Sequence, residues 1–285
     1  MYVFRRVADL QAFLQAERVN NREVGFVPTM GALHAGHLKL IRQSLAENQI
    51  TVASIFVNPT QFNDPSDLEK YPRTPGKDLE KLSLVGCQVV FLPTVSEIYP
   101  TETASVPDIA LGHLATTMEG AHRPGHFDGV AQVVKRLLEI VTPSRLYMGQ
   151  KDYQQQLIVR HLVQWMQIPT RVVTVTTERE EDGLAMSSRN VLMTPQLRER
   201  AALLYETLTI AKEQLLAGTP IEVIETAALA RLQQPDFTPE YFSIVDGVTL
   251  LPVQAEALPA LVVACTAVKV GKVRLIDNLI LKGRL

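Results

Sequence analysis

The first 177 residues alternate two kinds of segment, and that alternation restricts the folds open to them. Short runs rich in apolar and β-branched residues stand at VGFVPT (24–29), ITVASIFVN (50–58), QVVFLP (88–93), SRLYMG (144–149) and TRVVTVTT (170–177). Between them lie segments with apolar residues at helical spacing: GHLKLIRQSLAEN (36–48), DLEKLSLVG (78–86), GVAQVVKRLLEIV (129–141) and DYQQQLIVRHLVQWM (152–166). Strands that alternate with helices pair in parallel through right-handed crossovers. Such sheets bind ligands beyond the carboxyl ends of their strands. The expected class is therefore α/β.

After about residue 177 the pattern changes. A polar stretch, TEREEDG, leads into LAMSSRN (184–190) and then into helical segments around 195–217 and 220–233. YFSIVDGVTL, ALVVACTAVKV and VRLIDNLIL follow and read as short antiparallel strands. A domain boundary is expected near 176, giving domains 1–176 and 177–285.

Composition narrows the function. Apolar residues make up 46% of the chain, enough for a sizeable core. With 28 Lys and Arg against 30 Asp and Glu, there is no basic footprint for nucleic acid. A local anion site stays open. Cys87 and Cys265 each sit in an apolar stretch, as buried free thiols of a reducing compartment do. Arg5, Arg6 and Asp9 interrupt any N-terminal leader pattern, and LPALVVACTAV is too short to span a bilayer. A soluble cytoplasmic protein is expected.

Five stretches hold candidate chemistry. In PTMGALHAGHLKL, Gly31 and Gly36 permit tight turns, and a helix begins near Gly36. Its free N–H groups and dipole make an anion site, with His34 and His37 able to donate to phosphate oxygens. A metal would need a third ligand, which no neighbouring residue supplies. Phosphate binding is favoured, with metal binding and plain surface left open. Neither GxxxxGK[ST] nor GxGxxG occurs, so any nucleotide must be held at the histidine junction. At the end of SIFVNPTQF, Asn58 and Gln61 either grip a hydroxyl and a carboxylate or form an ordinary Asn-Pro turn. In MGQKDYQQQ, Lys151 stands at a strand–helix junction, with Asp152 as cap or ribose ligand and Gln155 one turn on. In LAMSSRN, Ser187, Ser188 and Arg189 supply the hydroxyls and guanidinium of a phosphate clamp. EGAHRPGHFDGV adds His122, Arg123 and His126; Arg123 could meet a carboxylate, though a structural loop fits equally well.

Together, VPTMGALHAGHLKL, SIFVNPTQF, YPRT, EGAHRPGHFDGV, GQKDYQQQ, DGLAMSSRN and RLIDN resemble the pantothenate synthetase (pantoate–β-alanine ligase) family. They occur in order and span nearly the whole chain. HxGH alone would mark only the wider nucleotidyltransferase superfamily, in which LAMSSRN stands where a KMSKS-type loop is found. The resemblance implies a Rossmann-like N-terminal domain, a smaller α+β C-terminal lid and a homodimer. It implies that ATP, Mg²⁺ and pantoate give pantoyl-adenylate and pyrophosphate, after which β-alanine displaces AMP. It places Met30, Gly31, Ala32, Leu33, His34, Ala35, Gly36 and His37 at the ATP site, His37 being the usual candidate proton donor. Gly149, Gln150, Lys151 and Asp152 join them, Lys151 on phosphate. So do Met186, Ser187, Ser188 and Arg189, which would close over the triphosphate. Asn58, Gln61 and Gln155 are implied to bind pantoate, Gln61 also β-alanine. The family contacts nucleotide through the backbone at Glu178, a position often apolar elsewhere, so the charge here bears on side-chain packing. Direct Mg²⁺ ligands are not indicated. Two other readings remain: a nucleotidylyltransferase of the same superfamily, and a nucleotide-sensing module without turnover.

Overall fold

The computed structural model describes residues 1–62, 65–100, 107–253 and 257–284. It divides into two compact units. The first comprises 1–115, 123–149 and 155–175; the second comprises 116–122, 150–154 and 176–285.

In the first unit, six strands form one parallel sheet: β1 (Tyr2–Phe4), β2 (Val24–Thr29), β3 (Ile50–Ile55), β4 (Val89–Phe91), β5 (Arg145–Gly149) and β6 (Arg171–Val175). Their order across the sheet is β1-β4-β3-β2-β5-β6. The chain thus winds outward from β2 through β3 to β4, then returns to lay β5 on the other side of β2. This makes β2 and β5 the switch point of a doubly wound, Rossmann-like sheet, where crevices open at the strands' carboxyl ends.

Both faces are buried, and the alternation along each strand shows it. Phe26, Val52, Phe91, Leu146 and Val172 join Leu10, Leu14, Leu138 and Leu162 in one core. Val27, Ala53, Val90, Tyr147 and Val175 join Leu33, Leu40, Ile41 and Leu82 in another. Period-two alternation sends neighbours to opposite faces, and each face is covered by helices.

In the second unit, β7 (Phe237–Asp246), β8 (Val262–Val270) and β9 (Val273–Lys282) form an antiparallel sheet. Helices Leu203–Leu216 and Ile221–Leu232 share a core with it, around Leu204, Leu208, Ile224, Phe242, Val268 and Leu275. A register shift between Pro239 and Tyr241 accommodates a proline within β7. Segment 116–122 belongs here because Glu119, on helix Glu119–His122, accepts from both Nη atoms of Arg274 at 2.7 Å and from the Tyr241 hydroxyl at 2.8 Å. Burial, and next the Glu119 charge, push the Tyr241 hydroxyl well above its usual range.

Candidate active site

In the first unit, the backbone leaves β2 in a left-handed turn, with φ of +81° at Gly31 and +49° at Ala32. Such a conformation is natural for glycine and strained for alanine. Helix Ala35–Glu47 then starts, one residue earlier than its apolar spacing suggests, with His34 as N-cap. His34 Nδ1 accepts from the Gly36 N–H at 3.2 Å, and His37 Nδ1 accepts from the His34 N–H at 3.3 Å. The two rings are 4.1 Å apart at their centroids. An accepting Nδ1 assigns the proton of a neutral imidazole to Nε2. Both histidines are therefore set as Nε2–H donors at the positive end of a helix. No acidic residue occupies the helix's first turn to compete with an anion.

The neighbouring strand carries the second cluster. Asn58, 1% exposed, caps the short turn Pro59–Gln61. Its Nδ2 donates to the Thr60 hydroxyl at 3.0 Å and the Gly129 carbonyl at 3.1 Å, and its Oδ1 accepts from the Tyr99 hydroxyl at 3.0 Å. Asn58 is thus an organiser of the turn, and its Nδ2 also lies 3.3 Å from the Oε1 of Gln61, the turn's last residue. The Gln61 Nε2 lies 3.1 Å from Met30 Sδ, which joins this cluster to the histidine turn. The Gln61 carbonyl accepts from His126 Nδ1 at 2.7 Å. His126 Nε2 in turn lies 3.1 Å from Arg123 Nη1, so the ring serves the turn, and Arg123 meets an imidazole at that contact. Helix His126–Val141 approaches closely because residue 129 is glycine: a Cβ there would strike the Thr60 carbonyl. Gly149 ends β5, and Gln155 lies half-buried in helix Tyr153–Trp165.

In the second unit, Gln150–Asp152 is a single 3₁₀ turn, and the helix starts after Asp152. The Lys151 ammonium is 3.7 Å from the Asp152 carboxylate. Asn278 on β9 fixes the turn, its Nδ2 donating to the Gln150 carbonyl at 2.9 Å and the Lys151 carbonyl at 2.8 Å. The adjacent Asp277 faces the other way and takes Arg179 bidentately, at 2.7 and 3.1 Å. Burial pushes the Asp277 carboxyl up, and Arg179 pulls against it.

Residues 178–186 form a small hairpin in the same unit. Arg179 pairs with Ala185, and the Met186 N–H donates to the Glu178 carbonyl at 2.9 Å. The Glu178 backbone is thereby engaged with the start of the LAMSSRN loop. Gly183 is a packed turn at φ +88° pressed against the Tyr205 ring. The Arg179 guanidinium lies 4.0 Å from the centre of that ring. Ser187 Oγ accepts from the Arg189 N–H at 3.2 Å, and Ser188 and Arg189 are half-buried beside it.

The structure thus brings Met30 to His37, Asn58 and Gln61 together in one unit. In the other it gathers Gln150 to Asp152 around Asn278 and joins Glu178 to Met186, at the start of the Met186–Arg189 loop, by a backbone hydrogen bond. Sequence reasoning missed Asp78, Arg179 and Asn278 as organisers, whereas His126 has the structural role that the loop reading of EGAHRPGHFDGV allowed. Asp78 left a signal: it stands four residues before Leu82, an acid on an apolar helix stripe, and so demands buried donors.

A family model described as pantoate-beta-alanine ligase matches residues 2–280. The chain is 44% identical over 281 residues to a pantothenate synthetase of Azobacteroides pseudotrichonymphae genomovar. CFP2, covering 98% of this chain and 99% of that one. A crystal structure of pantothenate synthetase from Thermus thermophilus matches with a TM-score of 0.92 at 43% identity, over 99% and 100% of the two chains. One of a pantoate-beta-alanine ligase from Francisella tularensis, complexed with beta-gamma ATP and beta-alanine, matches with a TM-score of 0.81 at 32% identity, over 99% and 98%.

Proposed function

Because this chain belongs to the pantoate–β-alanine ligase family and has that activity, we propose that its two histidines, its turn carboxamides and its 3₁₀-turn lysine divide the reaction between them. A carboxylate is a poor acyl donor, since its leaving group would be oxide. ATP supplies a better one. A pantoate carboxylate oxygen attacks the α-phosphorus, the bond to pyrophosphate breaks, and pantoyl-adenylate forms. The β-alanine nitrogen then attacks the acyl carbon, AMP departs with the bonding pair, and the new amide nitrogen loses a proton.

Neither step needs a protein nucleophile. Both need positioning and stabilisation of charge where it develops. Negative charge builds on the departing pyrophosphate. His34 and His37 donate through Nε2–H, His37 being placed to protonate the leaving oxygen, and Lys151 and Arg189 add fixed positive charge. The Met30–His37 and Gly149–Asp152 backbones, with Glu178 and Met186 to Ser188, hold the rest of the nucleotide. Gln61 and Gln155 hold pantoate, with Asn58 setting the turn, and Gln61 then receives β-alanine. Residues 1–176 carry most of the binding groups, and 177–285 bring the closing loop that keeps water from the adenylate. The working form is a homodimer.

Mg²⁺ enters with ATP. Among the described residues no three His, Cys, Asp or Glu cluster to hold a metal ion. An ion carried on phosphate oxygens and water needs no such cluster. When bound, it neutralises phosphate charge.

The observation that carries this reading is the paired Nδ1 acceptance of His34 and His37 at a helix start beside the switch point of the sheet. Quenched single-turnover reactions test it. ATP and pantoate alone should give pantoyl-adenylate and pyrophosphate, with AMP appearing on addition of β-alanine. AMP transfer to a phosphate-bearing acceptor, or ATP binding without turnover, would contradict it.

A further inference from the structure

Helix Pro75–Leu84 carries a carboxylate that none of the roles above uses. Asp78 is 0% exposed. Its Oδ1 accepts from the Leu33 N–H at 2.8 Å and its Oδ2 from the Ala32 N–H at 3.0 Å. The Thr74 hydroxyl donates to Oδ1 at 3.2 Å, and one turn along the helix the Lys81 ammonium donates to the Leu33 carbonyl. One helix thus grips the strained turn at both backbone groups of Leu33: a carboxylate on the N–H, shared with that of Ala32, and an ammonium on the carbonyl. A carboxylate holding two consecutive N–H groups fixes their peptide planes, and charge-assisted bonds of this kind are the strong ones. It also compensates the left-handed conformation of Ala32, which is costly for a residue with a side chain. His34 follows directly, and its backbone N–H is the donor that sets the His37 ring.

We propose that Asp78, seconded by Lys81, is the positioning residue of the reaction's first step: it holds the Gly31–Leu33 turn so that the His34 and His37 Nε2–H groups meet the triphosphate. The inference rests on the reading of the histidines given above. It also gives the YPRT stretch a task, since Thr74 orients the Asp78 carboxylate and Arg73 closes the preceding helix through the Leu68 carbonyl at 2.9 Å.

Asp78→Asn is the direct test, because it keeps shape but turns one acceptor into a donor facing an N–H group. Two half-reactions are measured well below the variant's melting temperature: adenylation from ATP and pantoate, and aminolysis of supplied pantoyl-adenylate by β-alanine. Adenylation should fall about 10²-fold, the cost of misplacing reacting groups by about an ångström. The KM for ATP should rise, while aminolysis and the KM for pantoate stay within about twofold of the parent. A variant that is merely less stable would lose both half-reactions together. That outcome, or unchanged adenylation, overturns the proposal. Should Asp78→Asn fail to fold, Lys81→Met decides the matter: a smaller loss confined to adenylation supports the proposal, and an equal or absent loss refutes it. His37→Gln in the same assay separates the two claims. If it abolishes adenylation and the Asp78 and Lys81 variants do not, only the positioning claim fails. If it too leaves adenylation intact, the reading of the histidines fails as well.

Discussion

Asn278 holds Lys151 by its backbone: the Asn278 Nδ2 lies 2.8 Å from the Lys151 carbonyl oxygen, across 127 positions of sequence. The same amide reaches the Gln150 carbonyl, so one side chain closes the turn on which the proposed phosphate cation stands. Because strand neighbours face opposite ways, Asp277 can meet Arg179 without disturbing that bond.

Asn278→Asp should therefore cost both stability and rate. A carboxylate oxygen would face two carbonyl oxygens, leaving buried acceptors short of a donor at a cost of about 1–3 kcal/mol. Adenylation should drop about 10-fold to 10²-fold as the Lys151 turn shifts. Denaturant melts and quenched adenylation assays check the two effects, and a variant that matches the parent in rate would separate Asn278 from the function of Lys151.

Gly129→Ala should strike pantoate binding before it affects ATP. The added methyl meets the Thr60 carbonyl, in the turn that ends at Gln61, and backbone cannot yield as a side-chain tip would. Overpacking of this kind destabilises by about 1–3 kcal/mol. Initial-rate kinetics should show the KM for pantoate raised several-fold, by about 1 kcal/mol of lost binding or more, with the KM for ATP little changed. The reverse pattern would place the Asn58–Gln61 turn elsewhere in the reaction.

Cys87 makes stability fall in alkali. Burial lifts its thiol from 9.0 to about 11. Between those values the unfolded chain has released the proton and the folded chain keeps it. The contribution is thus fully present below about pH 9 and is lost as pH rises towards 11, by about 2–3 kcal/mol. Cys87→Ala should flatten the decline by that amount in melts across the window, and an unchanged slope would refute the assignment. Both thiols, 2% and 5% exposed, should also resist aromatic disulfide reagents until the chain unfolds.

The parallel sheet was largely legible because its strands are buried on both faces and so read as continuous apolar runs. β2 occupies the same six residues, 24–29, that the sequence marks. β1 was not, since Tyr2 and Val3 are 61% and 42% exposed and three residues make no pattern. The histidine junction was legible because a helix start is a local event, whereas Asp78 acts on Leu33 across 45 positions. The placement of 116–122 and 150–154 in the second unit depends on Arg274 meeting Glu119 and on Asn278 meeting Lys151, pairings that no local spacing announces.

Pantoate-dependent exchange of labelled pyrophosphate into ATP, run without β-alanine on the parent and on Lys151→Ala, tests the central claim most directly. The parent should exchange only when pantoate is present, and the variant should exchange about 10²–10³-fold more slowly, as expected for loss of one fixed charge partner in the transition state. Exchange that requires β-alanine, or a variant that keeps the parent rate, would contradict the account.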